Sequence, residues 1–299
     1  MDESSSPTER FEEHRAHLRA VAYRMLGSLS ETDDALQETW LRLSRTDTGG
    51  IENLGGWLTT VTARVCLNML RSRGQRREEP MEPVEGADIR MPDPVISPER
   101  GVDPEQEVLL ADSVGLALMV VMESLAPAER LAFVLHDMFA VPFDEIAPLI
   151  EKTAAATRQL ASRARRKVQG QAPAPDPDPA RQRAAVDAFF AAARDGEFEA
   201  LVAVLDPNVV LRSDGGVGGR HTVVLTGART VASQAVTFGP LTPFTRPVLI
   251  NGAAGVVVVP QARAVSVMAF TVVGGRIVAI DVLSDPQRLK ELDLTSLER

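Results

Sequence analysis

Three kinds of chemistry are open to the residue types of this chain. "SDGGVGGR" (213–220) sets four glycines between an acid and an arginine, the composition of a loop that can cradle a phosphate. Asp214, His221 and Asp281 could serve as an acid or base of tuned pKa. Arginines crowd two other stretches, 64–77 and 158–166, where guanidinium groups could hold phosphates and pair with bases. The phosphate-loop reading weakens on inspection. No Lys-Ser or Lys-Thr follows as GxxxxGK[ST] requires, and GxGxxG is not met either. The loop runs from "VVLR" to "HTVVLTGA", so no helix N-terminus is offered to a phosphate. A lone Asp before Gly-Gly ordinarily forms a turn and a lone His is ordinarily structural. Catalysis is therefore not expected. Neither is a metal or other cofactor: Cys66 is the one cysteine, and the four histidines read as scattered, without a ligand pair at helical spacing.

The composition fits this restriction. A chain of 299 residues accommodates two or three domains, and 44% hydrophobic residues support real cores. Aromatics at 4% argue against reading single strands by stacking alone. The polar, acidic start "MDESSSPTER" has no signal-peptide core, and no apolar run reaches bilayer length. A cytoplasmic chain without a membrane partner is expected. The net charge of −9 speaks on average against nucleic acid, but the charge is unevenly distributed.

Five segments position the chemistry. Residues 8–78 read as helices, and 79–107 as an acidic, proline-rich linker. Residues 108–169 are helical again, 170–180 ("QAPAPDPDPA" over 171–180) form a stiff spacer, and 181–299 hold two helices and a β-rich tail. In "SETDDALQETWLRLS", Ser30 or Thr32 can cap a helix, and Leu36, Trp40 and Leu43 make one apolar face. Asp33, Asp34, Gln37, Glu38 and Leu41 occupy the other faces: a solvated surface, or a docking surface for a partner. In the next helix Trp57, Leu58, Val61, Val65, Leu67 and Leu70 form the core side, and Arg64, Arg71, Arg73, Arg76 and Arg77 crowd the C-terminal half. Five arginines in fourteen residues exceed what the helix dipole calls for, and a phosphate-binding stripe accounts for them better.

"LAPAERLAFVLHDMFAVPFDEIAPLIEKTAAATRQLASRARRKVQ" (125–169) divides into a helix over 128–139, a break at "AVP", a helix from Asp144 and a last helix over 153–168, the final pair spaced as a helix-turn-helix. Pro148 should kink or shorten the middle helix. Ala156, Leu160, Ala164 and Val168 share one face of the last helix. Arg158, Gln159, Ser162, Arg163, Arg165 and Arg166 take the others, a suitable edge for a major groove.

Residues 8–78 and 108–169 together resemble a bacterial extracytoplasmic-function (ECF) sigma factor. The resemblance is carried by "AYRMLGSLSETDDALQETWLRL", "WLTTVTARVCLNMLRSR" and "ERLAFVLHDMFAVPFDEIA…TRQLASRARRKV". It implies two all-α sigma modules. Asp33, Asp34, Gln37, Glu38, Trp40 and Leu41 fall where the family docks the clamp helices of core RNA polymerase. Trp57, Arg64, Asn68, Arg71, Arg73, Arg76 and Arg77 fall where it melts and reads the −10 element. Thr153, Ala155, Thr157, Arg158, Gln159, Ser162, Arg163, Arg165 and Arg166 fall where it reads the −35 element, and the linker falls where family members thread a chain toward the polymerase active-site channel. Ile150-Glu151-Lys152 stands where the family often has glycine, and Asn68 where it often has an acid. Residues 181–299 resemble a SnoaL-like domain of the nuclear-transport-factor-2-like class, an α+β cone with a curved antiparallel sheet. In fused sigma factors such domains carry an Asp-Gly-Gly loop and an Asn-Pro-Asp-like motif, which places Asp214, Gly215, Gly216, Arg220, Asp285 and Pro286 as interdomain and regulatory residues. The chain as a whole is expected to be a promoter-specificity subunit with core polymerase and promoter DNA as partners and no covalent chemistry of its own. A small-molecule ligand in the cone and a separate anti-sigma partner stay open. The alternatives are a ligand-sensing helix-turn-helix repressor or activator and, further off, a SnoaL-like enzyme fused to DNA-binding modules.

Overall fold

The computed structural model describes residues 7–47, 49–77, 90–99, 115–172, 174–216, 222–292 and 294. Arg220 and His221 lie outside them. The chain divides into two compact units, Met1–Met81 with Val121–Gln171, and Glu82–Val120 with Ala172–Arg299.

Among the described residues, the regular elements of the first unit are all helices. Its opening helices are α1 (Pro7–Leu26), α2 (Leu29–Ser44) and α3 (Leu54–Arg77). Leu18, Leu36, Leu43 and Leu58 meet in their core, and Trp40, Leu54 and Trp57 pack against it. The i, i+7 spacing of Leu36 and Leu43 puts both on the buried stripe of α2. Buried threonines add polar fastening: Thr39 bonds back to the Ala35 carbonyl at 2.8 Å and meets Thr62 of α3 at 3.2 Å. The start of α2 differs from expectation. The helix begins at Leu29, and Thr32 bonds the Ser28 carbonyl at 2.7 Å, so neither Ser30 nor Thr32 is the capping residue. For α3 the cap is Asn53, which accepts the Gly56 N–H at 2.9 Å.

The remaining helices of this unit begin with the end of α4 (Leu116–Glu123), followed by α5 (Pro127–Phe133) and a single π turn, Val134–Met138. Ala140 at φ 54° and Pro142 break the chain before α6 (Phe143–Ile146). Pro148 has the expected effect: α6 gives way to a tight 3-10 turn, Ala147–Leu149. The turn into α7 (Ala154–Gln171) needs a left-handed residue, and Glu151 supplies it at φ 55°. That conformation is why glycine suits this turn. Thr153 accepts the Ala156 N–H at 3.2 Å and caps α7.

The second unit is an α+β domain. Its helices are α8 (Pro179–Asp195) and α9 (Phe198–Val204), and its strands begin with β1 (Ile96–Ser97), β2 (Leu205–Asp214) and β3 (Val223–Thr226). Then come α10 (Ala228–Phe238), β4 (Thr245–Ile250), β5 (Ala253–Val258), β6 (Ser266–Val273), β7 (Arg276–Leu283) and α11 (Pro286–Glu291). The seven strands form one sheet in the order β1-β4-β5-β6-β7-β2-β3. It corrects the expected antiparallel sheet in one respect: β2 runs parallel to β7, so the sheet is mixed. A parallel pair needs a long crossover rather than a hairpin, and here α10 and β3 to β6 intervene. Val186 and Phe189 of α8, Leu201 of α9 and Val231 of α10 bury against Val256, Phe270 and Ile280 on one sheet face. The Gly-Gly hairpin expected in "VVGGRIV" joins β6 to β7, with Gly274 at φ 59° and Gly275 at φ 76°.

Two stretches read from sequence as connectors are built into this unit. Residues 91–97 belong to the 79–107 linker. Their β1 pairs with β4, and Met91 and Ile96 sit in a second core with Val248, Ile250, Val267, Leu283 and Leu289. Asp176 of the 170–180 spacer donates its N–H to the Val272 carbonyl at 2.7 Å. Its carboxylate accepts the Gly274 and Gly275 N–H groups at 3.0 and 2.9 Å, which holds its pKa below the usual carboxylate range. Small apolar contacts and local acceptors thus override a composition typical of solvated linkers.

Candidate polymerase and nucleic-acid interface

On α2, Asp33, Asp34, Gln37 and Leu41 are exposed. Asp34, Gln37 and Leu41 follow one another at i, i+3, i+7 and so share a face. Leu41, at 38%, is among the few large apolar side chains this exposed. Glu38 is half-buried and paired with Arg42 at 2.9 Å, while Asp33 lies 3.9 Å from Arg19. Trp40 departs from the expected docking set. Its ring meets Phe11 edge-on at 5.5 Å and packs on the leucine core, so it supports this face from beneath.

On α3, Arg64, Asn68 and Arg71 are exposed at i, i+4, i+7 and continue a stripe begun by half-buried Trp57 and Val61. Arg76 and Arg77 lie in the last turn of α3, and their side chains fall outside the described ones. Arg73 is not part of the exposed stripe. Its side chain is 14% exposed and engaged by Glu31 and Glu123.

On α7, Leu160, Ala161, Ala164 and Val168 are buried, and Ala155, Arg158, Gln159, Ser162, Arg163 and Arg166 are exposed. The i, i+4 pairs Arg158–Ser162, Gln159–Arg163 and Ser162–Arg166 give one polar edge. The Arg158 guanidinium also rests over the Phe143 ring, 5.5 Å from its centroid. Three expected members are used within the fold, Thr153 as the cap of α7. Thr157 is buried and bonds the Thr153 carbonyl at 3.0 Å, and Arg165 donates to Asp137 at 2.8 Å.

In the second unit Asp214 ends β2 and is 4% exposed. It accepts the Met91 N–H at 2.8 Å and the Gly216 N–H at 3.0 Å, and pairs with Arg288 at 2.7 Å. Arg288 also pairs with Asp93 and donates to the Met91 carbonyl at 2.6 Å. This arginine was not singled out from sequence, although it stands inside "SDPQRL", the stretch quoted for Asp285 and Pro286. Asp285 caps α11, accepting the Gln287 N–H at 2.8 Å, with Pro286 as the first helical residue. Gly216, at φ 82°, lies so close to Asp285 that a Cβ would sit 2.7 Å from its carboxylate. Gly215 bonds Thr222 at 3.1 Å. A second tie holds the same segment: the Val95 N–H reaches Asn251 Oδ1 at 3.1 Å, and the Asn251 N–H returns to the Val95 carbonyl at 2.8 Å.

The acid–base candidates have structural partners. Asp281 is 1% exposed and pairs with Arg212 at 2.8 Å. Burial pushes its carboxyl above the usual range, with Arg212 acting in opposition. A cavity of about 400 Å³ in this unit is lined by Val202, Leu205, Pro207, Gly227, Arg229 and Arg276, and reaches neither Asp214 nor Asp281. Histidines are less scattered than they read. His14 and His17 both line a cavity of about 410 Å³ with Asn53, Thr59, Phe139 and Glu145. No cluster of three metal-ligating side chains occurs among the described residues, and no described helix is long and apolar enough to cross a membrane.

Comparison with known proteins joins these surfaces. Residues 10–76 match the family model for sigma-70 region 2, and residues 115–168 that for sigma-70 region 4. The chain is 36% identical over 281 residues to the probable ECF RNA polymerase sigma factor SigI of Mycobacterium tuberculosis, covering 93% of each chain. It is also 36% identical over 296 residues to the ECF RNA polymerase sigma factor SigJ of the same organism, covering 93% of this chain and 91% of the other. The crystal structure of M. tuberculosis SigJ superposes with a TM-score of 0.78 at 32% identity, over 96% of this chain and 99% of that one. With α2 and nearly all of α3 inside the first match and most of the helix-turn-helix inside the second, the chain belongs to the ECF RNA polymerase sigma factors.

Proposed function

We propose that this sigma factor docks core RNA polymerase through Asp34, Gln37 and Leu41 of α2, holds promoter DNA at −10 through Arg64, Asn68 and Arg71, and reads −35 through Arg158, Gln159, Ser162 and Arg163. No covalent chemistry is assigned to it. Its C-terminal unit modulates activity by holding residues 91–97 of the linker. The observation that carries the reading is the pairing of two exposed basic faces, on α3 and α7, within the region 2 and region 4 matches. The modulation rests on the clamp of Asp214, Arg288 and Asn251 around Met91, Asp93 and Val95. Reconstitution with core polymerase tests the proposal: the chain should confer run-off transcription from selected promoters, and Arg288→Ala should change its yield. DNA binding without polymerase association would favour the repressor or activator reading instead. Wild-type yield from Arg288→Ala would remove the linker clamp from the regulation.

A further inference from the structure

Arg73 stands apart from its neighbours on α3. Arg64 and Arg71 face solvent, whereas Arg73 donates to the Leu26 carbonyl at 3.2 Å, pairs with Glu31, and lies 3.6 Å from Glu123 at the end of α4. Glu123 holds a second arginine as well. Arg130 of α5, 3% exposed, donates to it at 2.8 Å and to the Met25 carbonyl at 2.9 Å. Met25, Leu26, Glu31 and Arg73 lie in the region 2 match, and Glu123 and Arg130 in the region 4 match. Two of the links that cross between the modules therefore depend on the same small group of charges, beside the contacts of the Phe139 ring with His17 and Arg24. The two acids and two arginines balance only while Glu123 is ionised and in place. Without it, Arg73 keeps Glu31, but the buried Arg130 guanidinium loses the carboxylate that pairs with it.

Separation of the modules takes Glu123 from Arg73 but leaves it Glu31. One edge of the guanidinium is then free, within a turn of exposed Arg71. A phosphodiester carries the same charge as the lost carboxylate and offers acceptor oxygens to that edge. We infer that Arg73 is a shared latch: Glu123 holds region 4 on it in the free chain, and a nucleic-acid phosphate replaces Glu123 when the modules part. The inference rests on the proposed DNA-facing role of α3. It makes closure and full −10 engagement mutually exclusive through a single side chain.

The test uses the full chain with dyes on Ser44→Cys and Gln169→Cys, since Cys66 is buried, and a short fluorescein-labelled duplex of mixed sequence. Phosphate contacts do not depend on sequence. Glu123→Gln should lower energy transfer between the dyes and raise duplex affinity about ten-fold or more at low salt. Arg73→Ala should also lower energy transfer. Its affinity should show no such gain, and its salt slope should be shallower by about one than that of Glu123→Gln. Wild-type energy transfer and affinity in Glu123→Gln overturn the latch. So does an equal affinity gain in the Arg73→Ala/Glu123→Gln double variant, which would remove Arg73 as the phosphate ligand. Should Glu123→Gln fail to fold, Arg73→Lys substitutes for it: the charge is kept and the two-edged guanidinium lost. Partial opening with a retained salt slope supports the latch there, and wild-type energy transfer overturns it. Lack of run-off transcription by the wild-type chain would count against the proposed function, while the energy-transfer result would still decide whether Glu123 closes the modules.

Discussion

Replacing Arg288 with alanine removes one side chain from four interactions at once. It pairs with Asp93 and Asp214, donates to Asp93 through Nε at 3.1 Å, and donates to the Met91 carbonyl at 2.6 Å. The side chains of the arginine and Asp93 are each 16% exposed and that of Asp214 6%, so solvent screens the group only partly. Hydrogen bonds to charged groups contribute about 1.5–3 kcal/mol each, and breaking a buried pair costs about 3–5 kcal/mol. Asp214 keeps the N–H groups of Met91 and Gly216, which lowers the cost. Local destabilisation of about 2–3 kcal/mol is therefore expected, equivalent to roughly 30- to 150-fold in the opening equilibrium. Native-state hydrogen exchange reads this directly. The amides of Met91 and Val95 should exchange faster by that factor in Arg288→Ala, with the β6–β7 amides little changed. Unchanged exchange at 91–95 would refute the clamp. An equal loss across β6 and β7 would mean that Arg288 supports the domain as a whole rather than the linker.

Other expectations follow from individual groups. Desolvation first, then the charges of His14 and Arg24, lowers the His17 pKa below its usual 6.5. The folded state thus binds the proton less well than the unfolded state, and stability should fall as pH drops through about 6.5. His17→Gln, which can retain a bond to Thr59, should flatten that dependence in a thermal-melt series. Burial pushes the Cys66 thiol far above its usual value, so it should resist a thiol reagent in the native chain and react fully in guanidinium. Glu151→Gly should raise the melting temperature by relieving a left-handed residue that costs about 1–2 kcal/mol, less the greater freedom glycine gives the unfolded chain. Arg158→Ala or Arg163→Ala should weaken −35 binding by about 1–3 kcal/mol and relax specificity if the side chain contacts a base; an equal loss on every sequence would assign it to phosphates. Leu41→Asp should weaken core-polymerase association in pull-down while leaving the melting temperature nearly unchanged, because Leu41 lies outside the core.

The helical unit was largely legible because its signals are local. Leu160, Ala164 and Val168 follow a 3.6-residue period, and Pro148 ends its helix by its own geometry. What sequence missed depends on distant partners. Arg73 has the composition of a surface residue, but Glu31 and Glu123, neither adjacent in sequence, determine where it lies. The parallel β2–β7 pair has no turn signature, since its register joins Val210 to Ala279 across most of the domain. Met91, Val95 and Ile96 are few and set among prolines and acids, so no period marks them. Only a complementary sheet at 248–250 and Asp214 make them structure. The acid–base candidates failed for the converse reason: Asp281 has the right chemistry, but its partner Arg212 ties it into the sheet.

The pairing of β1 with β4 also bears on solubility. An edge strand with unsatisfied N–H and C=O groups is a template for other chains, and "TRPVLI" beside the fully buried "AAGVVV" would be an adhesive one. Two residues of β1 pair with Ile250 and Leu249, and Met91 and Ile96 cover the neighbouring apolar side chains. The opposite edge is β3, only four residues long. Whatever draws 91–97 away therefore uncovers a self-associating margin. A linker-released chain should aggregate sooner than the clamped one unless something else covers that margin.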